Sequence, residues 1–153
     1  MTKPTKPTEP KVLVTMFFGA AMAAPGDVFA AYLPIAAYAL FHKEHGVLTT
    51  SRSGSMDAAR NKACQFAIRN GYTHLLQLDN DHKHPPDIIQ RLLAHDVDVV
   101  GGLNYKRSPP HGACASSEVH NLGGNQRAIH VPPVKNTCLQ EVAGIGTGCL
   151  MIR

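Results

Sequence analysis

Two aspartates that end an apolar run are the strongest candidates for chemistry in this sequence. Three leucines lead into Asp79, and Asp81 follows it after one intervening residue. Two carboxylates at this spacing repel one another unless a cation or a set of hydrogen-bond donors lies between them. A hard divalent ion carrying substrate phosphates meets this need, because Mg²⁺ is usually held by one or two carboxylates together with phosphate oxygens. The pattern favours a metal–diphosphate site over the plainer alternative, a polar strand end in which Asp81 caps the next turn.

The strand that positions these carboxylates is predicted at Leu75–Asp79. Ligands bind at the carboxyl ends of strands in open α/β sheets, so this strand brings both aspartates to the binding edge. Apolar runs predict four further strands, at Lys11–Phe18, Gly46–Thr50, Val97–Leu103 and Gly148–Ile152. The chain between the third and fourth predicted strands is long enough for a helical crossover, so these two strands are expected to run parallel.

Three helices are predicted between the strands. The first begins at Asp27 and continues to about His42, with Pro34 as a kink. The second is capped by Ser55, runs from Met56 to about Arg69 and ends at Asn70–Gly71. Its buried stripe is predicted to consist of apolar residues at helical spacing: Met56, Ala59, Ala63, Phe66 and Ala67. The third opens at Pro86 and turns an apolar face to the sheet: Ile88, Ile89, Leu92 and Leu93.

Three segments are predicted to lack helices and long strands. Residues 1–10 alternate Thr, Lys and Pro and are expected to form a disordered tail. Gly19–Gly26 reads as a flexible loop of small residues. Tyr105–Pro133 reads as a long loop with a hairpin, and long loops in compact domains are usually functional.

Composition describes one globular domain. The chain has 153 residues, of which 44% are hydrophobic and 17% charged, with a net charge of +4. The basic residues form no run and are not interleaved with aromatic residues, so the charge does not indicate a specific nucleic-acid partner. The four cysteines form no C-x-x-C pair, which disfavours a zinc ribbon or a thioredoxin-type site. Their pattern does not suggest a disulfide framework, so a cytoplasmic location is the expectation.

The apolar stretch that begins at Val12 resembles a signal peptide, but the prolines before it and the strand-like pattern favour a buried first strand. No transmembrane segment is expected, because Pro25, Asp27 and Pro34 interrupt the apolar residues that follow.

Arg60 is a second candidate for the site. On the predicted helix it leans toward the buried side, where an arginine needs an anionic partner. That partner is either Asp79 or a phosphate of a bound nucleotide, and an ordinary half-exposed helix arginine is an equal alternative. His82 and His84 follow the aspartates and are chemically suited to zinc or manganese. Their spacing matches no usual metallohydrolase pattern, so they are interpreted as loop histidines beside a charged site.

Two further motifs are interpreted as structural. The glycines of Gly144–Gly148 precede a strand, whereas a phosphate-binding loop precedes a helix. They therefore indicate one of two things: backbone that needs room near a bound sugar, or simply a turn. Tyr105, Lys106 and Arg107 suit contact with phosphates or an acceptor, but a solvated strand end is the preferred interpretation.

Several of these segments together resemble one family. The Ala59-Arg60-Asn61 helix, the turn at Gly71 and the strand ending in Asp79-Asn80-Asp81 are similar to the inverting GT-A glycosyltransferases, including the family-2 group and its short phage and bacterial relatives. The Pro85–Ile88 stretch, the Val97–Gly102 strand and Gly146–Arg153 are similar too. The resemblance covers roughly residues 11–107 and 141–153, and its specificity lies in the order and spacing of the motifs.

The resemblance implies a three-layer α/β, Rossmann-like GT-A core with a mostly parallel sheet, formed by residues 11–153. It implies a nucleotide-diphospho-sugar donor and a hydroxyl acceptor, with inversion at the transferred sugar. Asp79 is then expected near the ribose of the nucleotide, and Asp81 is expected to ligate Mn²⁺ or Mg²⁺. Arg60 is expected to support Asp79 or to bind the nucleotide.

Relatives carry an acidic catalytic base, and often a histidine metal ligand, in a helix after the strand that ends here at Arg153. The base is therefore expected beyond Arg153, and the domain is expected to be incomplete at its C-terminus. Within the chain, Glu118 and Glu141 are the remaining acidic candidates. The first strand ends in Phe17-Phe18-Gly19 and lacks the family's usual Pro-Thr-Tyr-Asn-like end. The final strand is expected to be exposed and able to pair with another chain, which leaves a homo-oligomer open.

Two rival functions remain. A nucleotidyltransferase-like phosphate-ester enzyme shares the paired aspartates but needs a basic loop after the first strand, and Gly19–Gly26 contains no Lys or Arg. A non-catalytic module binds a nucleotide or sugar at the same site without turnover. The fold alone does not choose among these functions.

Overall fold

The structure is a computed structural model and describes residues 9–18, 26–42, 44–51, 55–106, 109–122, 125–130 and 139–153. Most of the predicted tail, residues 19–25 of the predicted glycine-rich loop, and Cys138 lie outside these residues. Gly26, which was placed at the end of that loop, is the first residue of a helix.

The described residues form eight strands and three helices. In chain order these are β1 Val12–Phe18, α1 Gly26–Phe41, β2 Gly46–Ser51, α2 Met56–Arg69, β3 His74–Asp79, α3 Ile88–Leu93, β4 Val99–Gly101, β5 Ala115–Leu122, β6 Asn125–His130, β7 Gly144–Ile145 and β8 Cys149–Ile152. The predictions for the first three strands and for α2 are confirmed within one residue at every end. The third helix starts two residues later than predicted, and the fourth strand is three residues long where seven were expected.

Five strands form the main sheet in the order β2-β1-β3-β8-β4. β1 pairs with β2 and with β3 in parallel, so apolar β1 lies between two parallel neighbours. β8 pairs with β3 on one side and with β4 on the other, antiparallel to both. Four of the five strands therefore run in the same direction, and β3 and β4 are parallel to one another as predicted, although they are not neighbours.

The position of β8 corrects one expectation from the sequence. The final strand was expected to be exposed and available to another chain, but it occupies an interior position between β3 and β4. Cys149, Leu150 and Met151 are buried there. An apolar strand of this kind is stabilised by hydrogen bonds on both edges, which an edge position cannot provide. The edges of the sheet are β2 and β4.

Helices cover both faces of the sheet. Inward-facing residues of β1 and β3 pack with Tyr32, Ile35 and Ala39 of α1 and with the apolar side of α3. The opposite face carries Leu13, Phe17 and Leu75 against α2. The alternation along β1 follows from the two-residue period of a strand, which sends successive side chains to opposite faces.

The stripe predicted for α2 is narrower than expected. Ala59, Ala63 and Ala67 are buried against the sheet, whereas Phe66 is 41% exposed. Small alanine side chains bring the helix close to the strands, so residues at the flanks of the stripe remain outside the contact. The Oγ of Ser55 accepts a hydrogen bond from the Ala58 amide and confirms the predicted N-cap.

A second, three-stranded sheet has the order β6-β5-β7. β5 and β6 form the hairpin predicted within Tyr105–Pro133, and β7 joins through Ala115 and Ser116. Within the part of the chain that the structure describes, no helix has the length and apolar character needed to cross a membrane.

Candidate functional site

The paired aspartates lie where β3 ends. Asp79 is the last residue of β3, and its backbone amide donates to the carbonyl of Gly148 at 3.0 Å, directly before β8 begins. Residues 80 and 81 form a turn that follows the strand. The C-terminal end of β3 and the start of antiparallel β8 therefore lie at the same end of the strands. Both carboxylates are at this end, as predicted.

Arg60 of α2 holds Asp79 in place. Its Nη2 donates to Asp79 Oδ1 at 2.8 Å, while Nη1 donates to Gln77 Oε1 at 2.6 Å and to the carbonyl of Thr147 at 3.3 Å. The guanidinium lies over the Phe17 ring, 4.9 Å from its centroid. Of the two partners considered from the sequence, the structure forms the one with Asp79. A planar group with several fixed donors suits this role, because one side chain reaches three acceptors in a single geometry.

The environment of Asp79 acts on its charge in two directions. Burial raises the pKa of the Asp79 carboxyl above 3.8, and this effect exceeds the lowering by the Arg60 guanidinium. The neighbouring Asp81 raises this pKa further, and His82 lowers it. An added cation between the carboxylates would favour the ionised form, since nearby positive charge stabilises a carboxylate.

Asp79, Asp81 and His82 form a cluster of three potential metal ligands. One ligand atom from each lies within 4.8 Å of the other two. The Nδ1 of His82 is 2.6 Å from Asp81 Oδ1, with both side chains about one-third exposed. Sequence reasoning set His82 aside because its spacing matched no known pattern. Its proximity arises from the turn at residues 80 and 81, which no periodicity in the sequence reveals.

His84 lies close to this cluster. It is 9% exposed, and its ring centroid is 6.3 Å from that of His82. Burial, and to a smaller extent the neighbouring His82, lower the pKa of His84 to about 4. Its Nε2 is buried and has no hydrogen-bond partner among the described residues. A neutral imidazole therefore packs beside the cluster and adds no positive charge to it.

Glycines allow the segment before β8 to approach the cluster closely. A Cβ at Gly148 would lie 3.0 Å from Asn104 Nδ2 and 3.2 Å from His82 Cε1. A Cβ at Gly146 would lie 2.8 Å from the Cβ of Cys114. Asn104 itself is 9% exposed and is a buried polar residue that sequence reasoning missed. Thr147 and Gly148 form a turn directly before β8, which is one of the two predicted interpretations, and room for a bound sugar stays a prediction.

The side chains fit a divalent cation. The cluster offers carboxylate oxygens, which suit Mg²⁺ and Mn²⁺, and an imidazole nitrogen, which suits Mn²⁺ better than Mg²⁺. The Nδ1 of His82 lies 2.6 Å from Asp81 Oδ1, and the ligand atoms of these two residues and Asp79 are close enough to reach one cation. The set of residues therefore matches the chemistry of the ion expected from the sequence.

Other predicted residues lie elsewhere. Glu141 is exposed, in the chain that leads to β7, and borders a groove with Val99 of β4. Tyr105 forms an isolated bridge with Ala113 and is 45% exposed, which agrees with the preferred interpretation as a solvated strand end. Arg107 and the side chain of Glu118 lie outside the described residues.

Comparison with known proteins identified the fold alone. The structure of A197 from STIV superposes with a TM-score of 0.59 at 16% sequence identity. The match covers 94% of this chain and 64% of that one, so the chain spans less than two-thirds of the length of A197. A scan against protein-family models and a search of curated proteins found no match.

Proposed function

We propose that this chain has a GT-A-like, three-layer core and binds a nucleotide-diphospho-sugar through a divalent cation, for transfer of the sugar to a hydroxyl acceptor with inversion. The observation that carries this proposal is the convergence of Asp79, Asp81 and His82 within 4.8 Å at the carboxyl end of β3. Ligands of open α/β sheets bind at this edge. The nucleotide and the sugar are proposed because the segments around Arg60 and Asp79 resemble those of glycosyltransferases.

The residues of the site have separable roles. Asp81 holds the cation, and Asp79 faces the same point from the end of β3. Arg60 donates to the Asp79 carboxylate at 2.8 Å and also to Gln77 and Thr147, so both of its terminal nitrogens donate within the protein. It is therefore a positioning residue, and direct contact with the nucleotide is not needed to explain it. When bound, the cation supplies positive charge that stabilises the leaving diphosphate.

The reaction breaks the bond between the anomeric carbon and the diphosphate and forms a bond from that carbon to the acceptor oxygen. The acceptor proton passes to a general base. Attack on the face opposite the diphosphate inverts the anomeric centre through an oxocarbenium-like transition state. The roles assigned here to the described residues concern binding of the donor, and no general base is assigned among them.

Calorimetric titration tests the donor site. UDP and GDP are titrated with and without MnCl₂ into the wild type, Asp81→Asn and the control Asp57→Asn, which changes an exposed aspartate in the first turn of α2. We expect Mn²⁺-dependent binding of one nucleotide to the wild type and to the control, and loss of at least tenfold in affinity for Asp81→Asn.

The same experiment separates the rival functions. Absence of nucleotide binding in the presence of Mn²⁺ contradicts the proposal. Where binding occurs, incubation with a panel of UDP- and GDP-sugars follows, and release of free sugar or transfer to an alcohol supports the enzyme. Binding without turnover supports the non-catalytic module, and turnover of a nucleoside triphosphate with release of pyrophosphate supports a nucleotidyltransferase.

A further inference from the structure

The Nδ1 of His82 lies beside the carboxylates of the candidate site, 2.6 Å from Asp81 Oδ1. One ligand atom from each of Asp79, Asp81 and His82 lies within 4.8 Å of the other two, a spread that the ligands of one ion can have. Adjacent ligands of an octahedral cation lie about 3 Å apart, because each is about 2.1 Å from the metal.

The surroundings of His82 restrict its ring. Gly148 approaches the ring so closely that an added Cβ would be 3.2 Å from Cε1, and Asn104 lies against the same glycine. On another side the His84 ring packs at 6.3 Å, and this residue is nine-tenths buried with an Nε2 that has no hydrogen-bond partner among the residues described. A ligand whose orientation is fixed by packing before the metal arrives loses less entropy on binding.

We propose that the Nδ1 of His82 is a third protein ligand of the cation held by Asp79 and Asp81, and that this imidazole makes the site select Mn²⁺ over Mg²⁺. The inference rests on the proposed function for its two carboxylate ligands. Carboxylate oxygens alone discriminate weakly between these ions, whereas an imidazole nitrogen favours the softer transition metal. His82 is therefore the residue that determines the specificity of the site for its metal.

Titration of the metal without a nucleotide tests this proposal. MnCl₂ and MgCl₂ are titrated separately into the wild type, His82→Ala and His95→Ala, where His95 is an exposed histidine after α3. We expect His82→Ala to lose about 10–100-fold in Mn²⁺ affinity and less than about threefold in Mg²⁺ affinity. His95→Ala should match the wild type for both ions. An equal loss for both ions, or no loss, overturns the proposal.

A second variant guards against a loss of folding. His82→Asp replaces the nitrogen ligand with an oxygen, so it should retain Mg²⁺ binding and reduce the preference for Mn²⁺. Thermal unfolding of each variant in EDTA verifies that the fold is intact. If His82→Asp keeps the preference of the wild type for Mn²⁺, His82 does not set the selectivity and the proposal is wrong.

Pulsed electron paramagnetic resonance of bound Mn²⁺ gives a direct readout. The spin-echo modulation of the wild type should contain coupling to ¹⁴N from an imidazole, and His82→Ala should lack it. Coupling that is absent from the wild type, or retained in His82→Ala, contradicts the assignment.

The two proposals fail in different ways. His82-dependent Mn²⁺ binding in a protein that binds no nucleotide leaves the ligand assignment standing and removes the proposed function. If nucleotide binding depends on Mn²⁺ but is unchanged by substitution of His82, the assignment of His82 as a ligand is wrong and the proposed function stands.

Discussion

The amide of Asp79 donates to the carbonyl of Gly148 at 3.0 Å and joins the end of β3 to the start of β8. This bond places the glycine-rich segment beside the carboxylates, where Gly148 also contacts Asn104 and His82. The candidate site is thus formed by residues of two neighbouring strands and their connections, and an added Cβ at Gly148 would crowd two of its side chains.

Substitution of Gly148 tests this relationship. In Gly148→Ala the new Cβ would lie 3.0 Å from the Asn104 amide and 3.2 Å from His82, so these two side chains must move. Because both side chains can shift, we expect the free energy of unfolding to fall by less than about 1.5 kcal/mol. Mn²⁺ affinity, measured by calorimetry, should fall by about 3–10-fold as His82 leaves its position. Gly112→Ala is the control, since its Cβ would meet nothing closer than 3.8 Å. Equal metal affinity in both variants would show that the contact with His82 is unimportant.

Arg60 should contribute to stability independently of any ligand. Arg60→Ala leaves Asp79 and Gln77 without the guanidinium donors that they share, so we expect a loss of about 1–3 kcal/mol in urea unfolding without metal. Arg60→Lys should recover only part of the lost free energy of unfolding, because an ammonium group does not reach three acceptors in the same plane. Lys62→Ala, which removes an exposed cation from the same helix, should change stability by less than about 0.5 kcal/mol. Similar losses in Arg60→Ala and Lys62→Ala would contradict this role.

Tyr32 should make the protein sensitive to alkaline pH. Its hydroxyl is buried without a hydrogen-bond partner among the described residues, and burial raises the pKa of Tyr32 from 10.0 to about 12. Between these values the unfolded chain releases a proton that the folded chain keeps, so stability falls as pH rises, by about 1.4 kcal/mol per pH unit for this group. Tyr32→Phe should lack this component and be more stable by about 1 kcal/mol at pH 7. Unfolding curves for the two proteins at pH 8–11.5 check the prediction, which parallel pH profiles would refute.

Gly46 and Tyr72 should be energetically coupled. A Cβ at Gly46, the first residue of β2, would overlap the hydroxyl and ring of Tyr72. We therefore expect Gly46→Ala to lower the free energy of unfolding by about 1–3 kcal/mol through overpacking. The same substitution should be tolerated in a Tyr72→Leu background, and a double-mutant cycle in urea measures the difference. Additive effects would show that the strain at Gly46 has another source.

The sequence predicts the local elements well and their arrangement less completely. β1, β3 and α2 are identified from apolar periodicity and from Ser55, because these signals are local. The interior position of β8 is decided by pairing with β3 and β4, which are remote in the chain, so an apolar strand at the end of the sequence was wrongly expected to be exposed. Asp79 is one of two partners that the sequence allows for Arg60, the other being a phosphate of a bound nucleotide. The spacing of residues along the helix predicts the side on which Arg60 lies, but not the group that it contacts there.

The ligand set was harder to predict than the fold. The spacing of Asp79 and Asp81 after a strand was sufficient to place them at the edge of the sheet. His82 is interpreted from the sequence as a loop histidine because its spacing matches no usual metallohydrolase pattern. The turn between β3 and α3 has no periodicity from which the direction of its side chain follows. Asn104 carried no signal in the sequence, and its burial depends on Gly148, which becomes its neighbour only in the folded chain.

The interior position of β8 also constrains the order in which the sheet assembles during synthesis. β1, β2 and β3 can pair once Asp79 has emerged from the ribosome, because their parallel partners are then complete. Among the described strands, β4 pairs with the main sheet through β8 alone, so β4 and the unpaired side of β3 wait until β8 has been translated. Contacts this distant in sequence form slowly and leave an apolar strand edge exposed meanwhile. The nascent chain is therefore most prone to aggregation in the interval between translation of Asp79 and of Cys149.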